Sequence, residues 1–255
     1  MIVVGSIGEL DLPRNGVVGL VPTMGALHAG HAALFETARP DCDVLVASVF
    51  VNPAQFSEQM DLTAYPRDLD LDAAFAAEHG VDIVFAPPSD EMYPDGFATW
   101  VEPGGVADGL ENVYRPGHFR GVATVCLKLF NLVRPQLAWF GQKDAQQVAV
   151  VKQLVRDLNV PVEIRVVETA RDHDGLAFSS RNAFLSAAER ERARALSRAL
   201  ATRDVAAARA VLAAAGIEPD YVEVADFDGP TLLIAARVGS TRLIDNVPLP
   251  KGARS

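Results

Sequence analysis

The most informative stretch of the chain is Val17-Val18-Gly19-Leu20-Val21-Pro22-Thr23-Met24-Gly25-Ala26-Leu27-His28-Ala29-Gly30-His31. Its apolar, β-branched beginning predicts a buried parallel strand over residues 17–21. We expect this strand to stop at Pro22 and the chain to turn through residues 23–25. A helix is then expected to begin near the two histidines.

A helix that begins directly after a strand offers an anion site, because its first N–H groups lack partners and its dipole end is positive. Gly25 and Gly30 allow the backbone to approach a ligand closely. The imidazoles of His28 and His31 can donate hydrogen bonds to phosphate oxygens. The alternatives are polar surface or a metal pair, and residues 32–34 supply no third metal ligand. The stretch favours a site that holds nucleotide phosphates during reaction at phosphorus.

The composition narrows the class of protein. The chain has 255 residues, of which 49% are hydrophobic and 22% charged, so it can form one large and one smaller globular domain. A net charge of −10 argues against a nucleic-acid-binding protein. We expect neither a signal peptide nor a membrane span. Cys42 and Cys126 lie in apolar surroundings, which predicts buried free thiols in a cytoplasmic protein.

Strand and helix signals alternate through the first two thirds of the chain. Besides the strand at 17–21 and a short one at residues 1–4, we predict strands at 43–51, 81–86, 137–140 and 162–167. The intervening helices are predicted at 29–38, 69–79, 122–133 and 145–158. This alternation predicts an α/β, Rossmann-like, doubly wound parallel sheet with helices on both faces.

The sequence changes character beyond residue 169. A charged turn at 171–175 precedes a capping box at 186–189, which begins an Ala- and Arg-rich helical region reaching about residue 215. Short strands are predicted at 221–225, 232–238 and 243–246. These signals predict a second, smaller α+β domain with a hinge near 169–176.

Three polar clusters follow predicted strands, and ligands of doubly wound sheets bind beyond the carboxyl ends of strands. The clusters are His28 with His31, residues 52–56, and residues 141–147. We expect all three at one edge of the sheet. In the last cluster, Lys143 could neutralise charge on a phosphoryl group in the transition state. The ordinary alternative is a surface lysine.

Other polar residues leave two interpretations open. Ser179-Ser180-Arg181 suits phosphate oxygens, but it equally suits a turn that caps a helix. The neutral amides of Asn52, Gln55 and Gln147 suit a substrate rich in hydroxyl or carboxylate oxygens. Turn chemistry is the alternative for Asn52, and a solvated helix surface is the alternative for Gln147.

Three further segments have no single interpretation. Residues 57–66 could form a lid over the site. Asp68, Asp70 and Asp72 could assist a hydrated magnesium ion, although solvent exposure at a helix start is favoured. The basic loop with Arg115, His118 and Arg120 could bind a substrate phosphate or pair with acidic residues of the other domain or of another subunit.

In combination these motifs resemble the pantothenate synthetase family, the pantoate–β-alanine ligases, within the nucleotidyltransferase superfamily. The resemblance follows the chain in order through residues 21–31, 50–56, 65–67, 140–147, 179–182 and 236–246. It implies an ATP-dependent ligase that joins pantoate to β-alanine through a pantoyl-adenylate and releases pyrophosphate and AMP. It also implies Mg²⁺ with the triphosphate and a homodimer that binds neither nucleic acid nor membrane.

The resemblance also implies roles for individual residues. His28 and His31 would contact the phosphates, with His31 as the acid, and Lys143 would be the third catalytic residue. Gln55 and Gln147 would hold pantoate, and Asn52 would lie near the phosphates. The ATP site would comprise Met24, Gly25, Ala26, Leu27, His28, Ala29, Gly30, His31, Gly141, Gln142, Lys143, Asp144, Ala170, Phe178, Ser179, Ser180 and Arg181.

The resemblance also implies a function for each of the two predicted domains. We predict a nucleotide- and pantoate-binding domain over 1–169 and a small C-terminal lid domain over 170–255. The chain departs from the family pattern at Phe178, where Met is usual, at Gln142, where Glu is usual, and at Ala145, where Tyr is usual. The alternative enzyme is a nucleotidyltransferase acting on a phosphorylated acceptor. A nucleotide-binding regulator without turnover is the non-catalytic alternative.

Overall fold

Six parallel strands form the central sheet of the first part of the chain. The computed structural model describes residues 1–13, 15–56, 62–63 and 65–250. The strands are β1 (Ile2–Val4), β2 (Val18–Thr23), β3 (Val44–Val49), β4 (Ile83–Phe85), β5 (Leu137–Gly141) and β6 (Glu163–Val167), in the order β1-β4-β3-β2-β5-β6. The chain adds β3 and β4 on one side of β2 and then β5 and β6 on the other.

Helices connect these strands. They are α1 (Ala29–Ala38), α2 (Leu69–Glu78), α3 (Ser89–Met92), α4 (Glu111–Tyr114), α5 (His118–Val133) and α6 (Ala145–Asp157), with short 3₁₀ turns at Pro53–Gln55 and Gln142–Asp144. The predicted α/β class and parallel sheet are therefore confirmed. Among the described helices, none is long and apolar enough to cross a membrane.

Alternate residues of each central strand enter two separate cores, which is why the strands are apolar almost without interruption. Leu20 and Phe140 pack in one core with residues of α5 and α6. Val21 and Trp139, their neighbours along the chain, pack in the other core with α1 and α2. The sheet is thus covered by helices on both faces, as the alternating sequence pattern predicted.

Several element boundaries differ from the prediction, among them those of β2 and α5. β2 does not stop at Pro22, because Pro22 and Thr23 continue the register with Ser48 and Val49 of β3. Pairing of β2 with β5 is confined to Gly19 and Leu20. The missing N–H of Pro22 therefore lies beyond the part of β2 that bonds to β5. α5 begins at His118, four residues before the predicted start.

A second compact unit consists of Glu168–Ser255 together with Gln142–Ala145, while the first consists of Met1–Gly141 and Gln146–Val167. The second unit contains α7 (Ala187–Ala201), α8 (Val205–Ala214) and an antiparallel sheet of β7 (Pro219–Asp226), β8 (Pro230–Val238) and β9 (Thr241–Pro248). The predicted α+β class of the second domain is confirmed. The division at residue 169 stays a prediction, and it did not anticipate the grouping of Gln142–Ala145 with the second unit.

The predicted helical region to about residue 215 is divided into two helices. The chain takes a left-handed conformation at Arg203 (φ 55°), which ends the helical path. The Asp204 side chain then accepts a hydrogen bond from Ala207 N at 2.8 Å and caps α8. Ser186 and Glu189 form the predicted capping box at the start of α7.

We predict that Gly19→Ala destabilises the fold. A Cβ at Gly19 would lie 2.8 Å from both Cys42 Sγ and Trp139 Cζ3. Overpacking of this kind costs about 1–3 kcal/mol, measurable by urea unfolding. Gly104→Ala is the matched control, since its Cβ meets nothing within 4 Å. Equal stability of the two variants would contradict this account of the core.

Candidate active site

His28 and His31 cap the N-terminus of α1 with their own side chains. The Nδ1 atom of His28 accepts a hydrogen bond from Gly30 N at 3.1 Å, and Nδ1 of His31 accepts one from His28 N at 3.2 Å. Together they form a reciprocal capping box. The ring centroids lie 4.2 Å apart. The predicted helix N-terminus at the histidines is therefore confirmed.

The capping box fixes the tautomers of the two imidazoles. A ring nitrogen that accepts a backbone N–H carries no proton of its own, so each neutral ring is assigned its proton on Nε2. Both histidines therefore have donor N–H groups on Nε2. Two such donors beside the positive end of α1 suit the oxygens of a phosphate chain.

Asp72 holds the loop between β2 and α1. One carboxylate oxygen accepts from Ala26 N at 3.0 Å and the other from Leu27 N at 2.7 Å. The loop needs this support because Gly25 and Ala26 both have positive φ angles, 81° and 51°. Gly25 also leaves room for the carboxylate, since a Cβ there would lie 2.6 Å from Asp72 Oδ2.

The prediction that all three helix-start acids face solvent is wrong for Asp72 and right for the other two. Asp68 and Asp70 are exposed, and Asp68 caps α2 by accepting from Leu71 N at 3.0 Å. Asp72 is buried because it lies on the side of α2 that faces the β2–α1 loop. Its carboxylate is engaged by backbone N–H groups.

The turn after β3 fixes two of the predicted amides. Asn52 is 1% exposed, and its Nδ2 donates to Gln55 Oε1 at 2.9 Å and to Gly121 O at 3.1 Å. Its Oδ1 accepts from Ala54 N at 3.2 Å and from the Tyr93 hydroxyl at 2.8 Å. Burial raises the pKa of that hydroxyl, so it remains a donor at neutral pH. Asn52 therefore holds the orientation of the Gln55 amide.

Gln55 itself reaches back to the first loop. Its Nε2 lies 3.0 Å from Met24 Sδ, so the structure brings the second polar cluster against the loop that carries the histidines. Gly121 allows α5 to pack closely against the turn that carries Gln55, because a Cβ there would collide with Ala54 O. Convergence of the first two clusters at one sheet edge is confirmed.

The basic loop before α5 supports the same turn. His118 is buried, and its Nδ1 lies 2.9 Å from Gln55 O. Arg115 Nη2 donates to the same oxygen at 3.4 Å. Arg120 instead lies over the Trp100 ring, 4.3 Å from its centroid, and pairs with Glu102 at 3.4 Å. Glu102 belongs to the same unit as Arg120, so this pair is neither a phosphate contact nor a pair with another domain or subunit.

A cavity of about 300 Å³ opens beyond the carboxyl ends of β3 and β4. Its walls are mostly apolar and include Val49, Phe50 and Ala86. Met24 and Asp72 also line it, so the histidine loop forms one of its walls. Of the predicted lid at 57–66, residues 57–61 and 64 lie outside the described part of the chain.

The second unit contains the remaining predicted nucleotide-binding residues apart from Gly141. Lys143 lies in the 3₁₀ turn after β5; its side chain is only 19% exposed, and Nζ lies 3.7 Å from Asp144 Oδ1. The catalytic role of Lys143 stays a prediction. Phe178 N donates to Ala170 O at 3.0 Å, which closes the charged turn between them. Ser179 Oγ accepts from Arg181 N at 3.3 Å, the capping role that the sequence left open.

A family model described as Pantoate-beta-alanine ligase matches residues 8–248. The chain belongs to the pantoate-beta-alanine ligase family. The predicted family and the predicted ligase class are therefore confirmed.

Relatives of this ligase match it over nearly their whole length. A pantothenate synthetase from Roseiflexus castenholzii is 47% identical, with 96% of this chain and 98% of the relative covered. A crystal structure of pantothenate synthetase from Thermus thermophilus is 45% identical with a TM-score of 0.94, covering 97% of this chain and 99% of that one. The enzyme from Francisella tularensis, complexed with beta-gamma ATP and beta-alanine, is 35% identical with a TM-score of 0.89, covering 97% of each chain.

The ligase contains supporting residues that sequence reasoning did not identify. Asp72 was expected to face solvent, and the sequence indicated no role for Gly121 or Tyr93. Gln147 was identified and lies half-buried in the first turn of α6. The assignment of individual residues to ATP and pantoate stays a prediction.

We predict that Asp72→Ala lowers both activity and stability. It leaves the partly buried N–H groups of Ala26 and Leu27 without their carboxylate acceptor. A hydrogen bond to a charged group contributes about 1.5–3 kcal/mol. Displacement of the histidines should lower kcat/KM by about 100-fold. The measurements are steady-state kinetics and thermal unfolding. Asp70→Ala, on the exposed side of α2, is the control; an Asp72→Ala enzyme that matches it would refute the proposed support.

Proposed function

We propose that this ligase condenses pantoate with β-alanine in an ATP-dependent reaction through a pantoyl-adenylate. The observation that carries the proposal is the pair of capped histidines, whose Nε2 donors lie at the start of α1. Family membership supports the substrates, and the relative from Francisella tularensis was crystallised with beta-gamma ATP and beta-alanine. The neutral amides of Gln55 and Gln147 favour pantoate over a phosphorylated acceptor, which would call for cationic groups.

In the first step, a carboxylate oxygen of pantoate attacks the α-phosphorus of ATP. The bond between this oxygen and phosphorus forms as the bond to the β-phosphate oxygen breaks, and pyrophosphate leaves. His28 and His31 donate hydrogen bonds from Nε2 to the phosphate oxygens. Because Nδ1 of His31 accepts a backbone N–H, the neutral ring has no second proton to transfer, and His31 stabilises the charge on the leaving group as a hydrogen-bond donor. Their fixed tautomers present donors before the reaction begins, which is the arrangement that electrostatic stabilisation requires.

In the second step, the amine of β-alanine attacks the acyl carbon of the adenylate. A C–N bond forms, the C–O bond to the phosphate breaks, the amine loses a proton, and AMP leaves. Gln55 and Gln147 hold the pantoyl group through its oxygens. Asn52, whose amide is fully used within the protein, supports Gln55.

We assign nucleotide-binding residues in the first unit and in the second unit. In the first unit we assign Met24–His31 and Gly141. In the second unit we assign Lys143, which would neutralise phosphate charge, with Gln142, Asp144, Ala170, Phe178, Ser179, Ser180 and Arg181. These assignments rest on the resemblance and on the half-buried positions of these side chains.

Magnesium enters with ATP as part of the substrate, held by phosphate oxygens. The described residues contain no group of three or more His, Cys, Asp or Glu side chains that could hold a metal ion by themselves. Asp72 cannot readily serve the ion, because both of its carboxylate oxygens accept backbone N–H groups.

We further propose that the enzyme is a cytoplasmic homodimer. Cys42 and Cys126 are buried free thiols, which suits a reducing compartment.

On α4, the side chains of Val113 and Tyr114 are 65% and 44% exposed, and a second copy of the chain could cover them.

The test is product formation from ATP with and without pantoate and β-alanine. We expect pantothenate, AMP and pyrophosphate in equal amounts, only when both substrates are present. His31→Gln should lower the rate by about 100-fold, the effect of removing one donor to a developing charge. Glutamine at this position can preserve the capping box, so the helix should stay intact.

His79→Gln is the matched control, because His79 is remote from α1's first turn and pairs with Glu36. It should retain full activity. A dinucleotide-type product with a phosphorylated acceptor would support the alternative transferase. ATP binding without turnover would support the regulator and contradict the ligase proposal.

A further inference from the structure

β9 carries two buried polar residues near its end, Asp245 and Asn246, in the second unit. Buried polar side chains require hydrogen-bond partners. Apart from one bond between the two residues themselves, the observed partners of their side chains lie outside the antiparallel sheet. They lie in the two loop segments of the second unit to which ATP binding is assigned.

Asn246 bonds to the segment that carries Lys143. Its Nδ2 donates to Gln142 O at 2.9 Å and to Lys143 O at 2.8 Å. Its Oδ1 accepts from Gln142 Nε2 at 3.3 Å. Carbonyl oxygens can only accept, so the amide must present its NH₂ group to them. These three bonds join β9 to Gln142–Ala145, the segment that groups with the second unit.

Asn246 is itself fixed by its neighbours. Its N–H donates to Asp245 Oδ1 at 2.8 Å, and its carbonyl accepts from Arg171 Nη2 at 3.4 Å. Arg171 forms a bidentate pair with Asp245 at 2.6 and 2.9 Å. Arg171 also donates to Gly175 O at 3.2 Å, within the charged turn. The end of β9 therefore holds both loop segments in one network.

We propose that Asn246 is a positioning residue for Lys143. By holding the carbonyls of Gln142 and Lys143, it fixes the backbone from which the lysine reaches the phosphates of ATP. Lysine has a long, flexible side chain, so the placement of its Cα decides where its ammonium can act. This inference rests on the proposed function, which gives Lys143 its role toward ATP.

The substitution that tests it is Asn246→Asp. The two side chains have nearly the same shape, but a carboxylate presents oxygen to the two carbonyls and repels them. We expect ATP affinity and kcat/KM to fall by about 100-fold, the effect of misplacing a catalytic group. Asn246→Ala, which removes the contacts without repulsion, should cause a smaller loss in the same direction.

A double-mutant cycle with Lys143→Ala separates positioning from general damage. If Asn246 acts through Lys143, Asn246→Asp should change the Lys143→Ala enzyme by less than about twofold. If Asn246 has only a structural role, the double variant should lose activity and ATP affinity by the product of the fold-losses of the two single variants. Asp220→Asn is the control, because it breaks the Asp220–Arg242 ion pair (2.6 Å) in the same sheet, away from Lys143. It should leave ATP affinity unchanged.

Two readouts keep this inference distinct from the proposed function. ATP binding is measured by calorimetry without other substrates, and pantothenate formation is measured separately. If the unaltered enzyme forms no pantothenate, the proposed function fails, and the ATP-binding cycle still decides the role of Asn246. If Asn246→Asp binds ATP as the unaltered enzyme does, or if the losses multiply, the inference is overturned.

Discussion

The parallel pairing of β2 with β3 on one side and β5 on the other is the constraint on which the first unit depends. It places the carboxyl ends of three apolar strands at one edge of the sheet, where loops can bring polar groups together. After β2 the chain places β3 and β4 on one side of that strand, and it then crosses to place β5 and β6 on the other side. Gly19 allows Cys42 and Trp139 to pack against β2 at this point. The histidine loop follows β2, and the 3₁₀ turn with Lys143 follows β5.

Reactive groups on this scaffold are held by hydrogen bonds to their own backbone and to buried residues outside the recognised motifs. The histidines use Nδ1 to cap α1, which leaves Nε2 as the donor. Asp72 holds the loop before them, and Asn52 holds Gln55. In the reaction that we propose, such preorganisation contributes to catalysis because the groups need no rearrangement when charge develops on the phosphates.

The sequence predicted what depends on local pattern. Alternating apolar segments gave the parallel sheet, and the histidine spacing gave the N-terminus of α1. It misjudged Asp72, because the alternating acids of residues 68–72 do not reveal which side of α2 is buried. The partners of Asn246 lie about a hundred positions away, and no local pattern reports such contacts. The break between α7 and α8 was missed because the Ala- and Arg-rich composition continues through Arg203, where the backbone turns left-handed.

The central claim is that a carboxylate oxygen of pantoate becomes bonded to the α-phosphorus of ATP. The most direct measurement uses pantoate labelled with ¹⁸O in its carboxylate and determines the label in the products by mass spectrometry. The adenylate mechanism predicts one labelled oxygen in each AMP formed, because the C–O bond breaks when the amine attacks. Label in inorganic phosphate, together with ADP, would contradict the account and indicate an acyl phosphate instead.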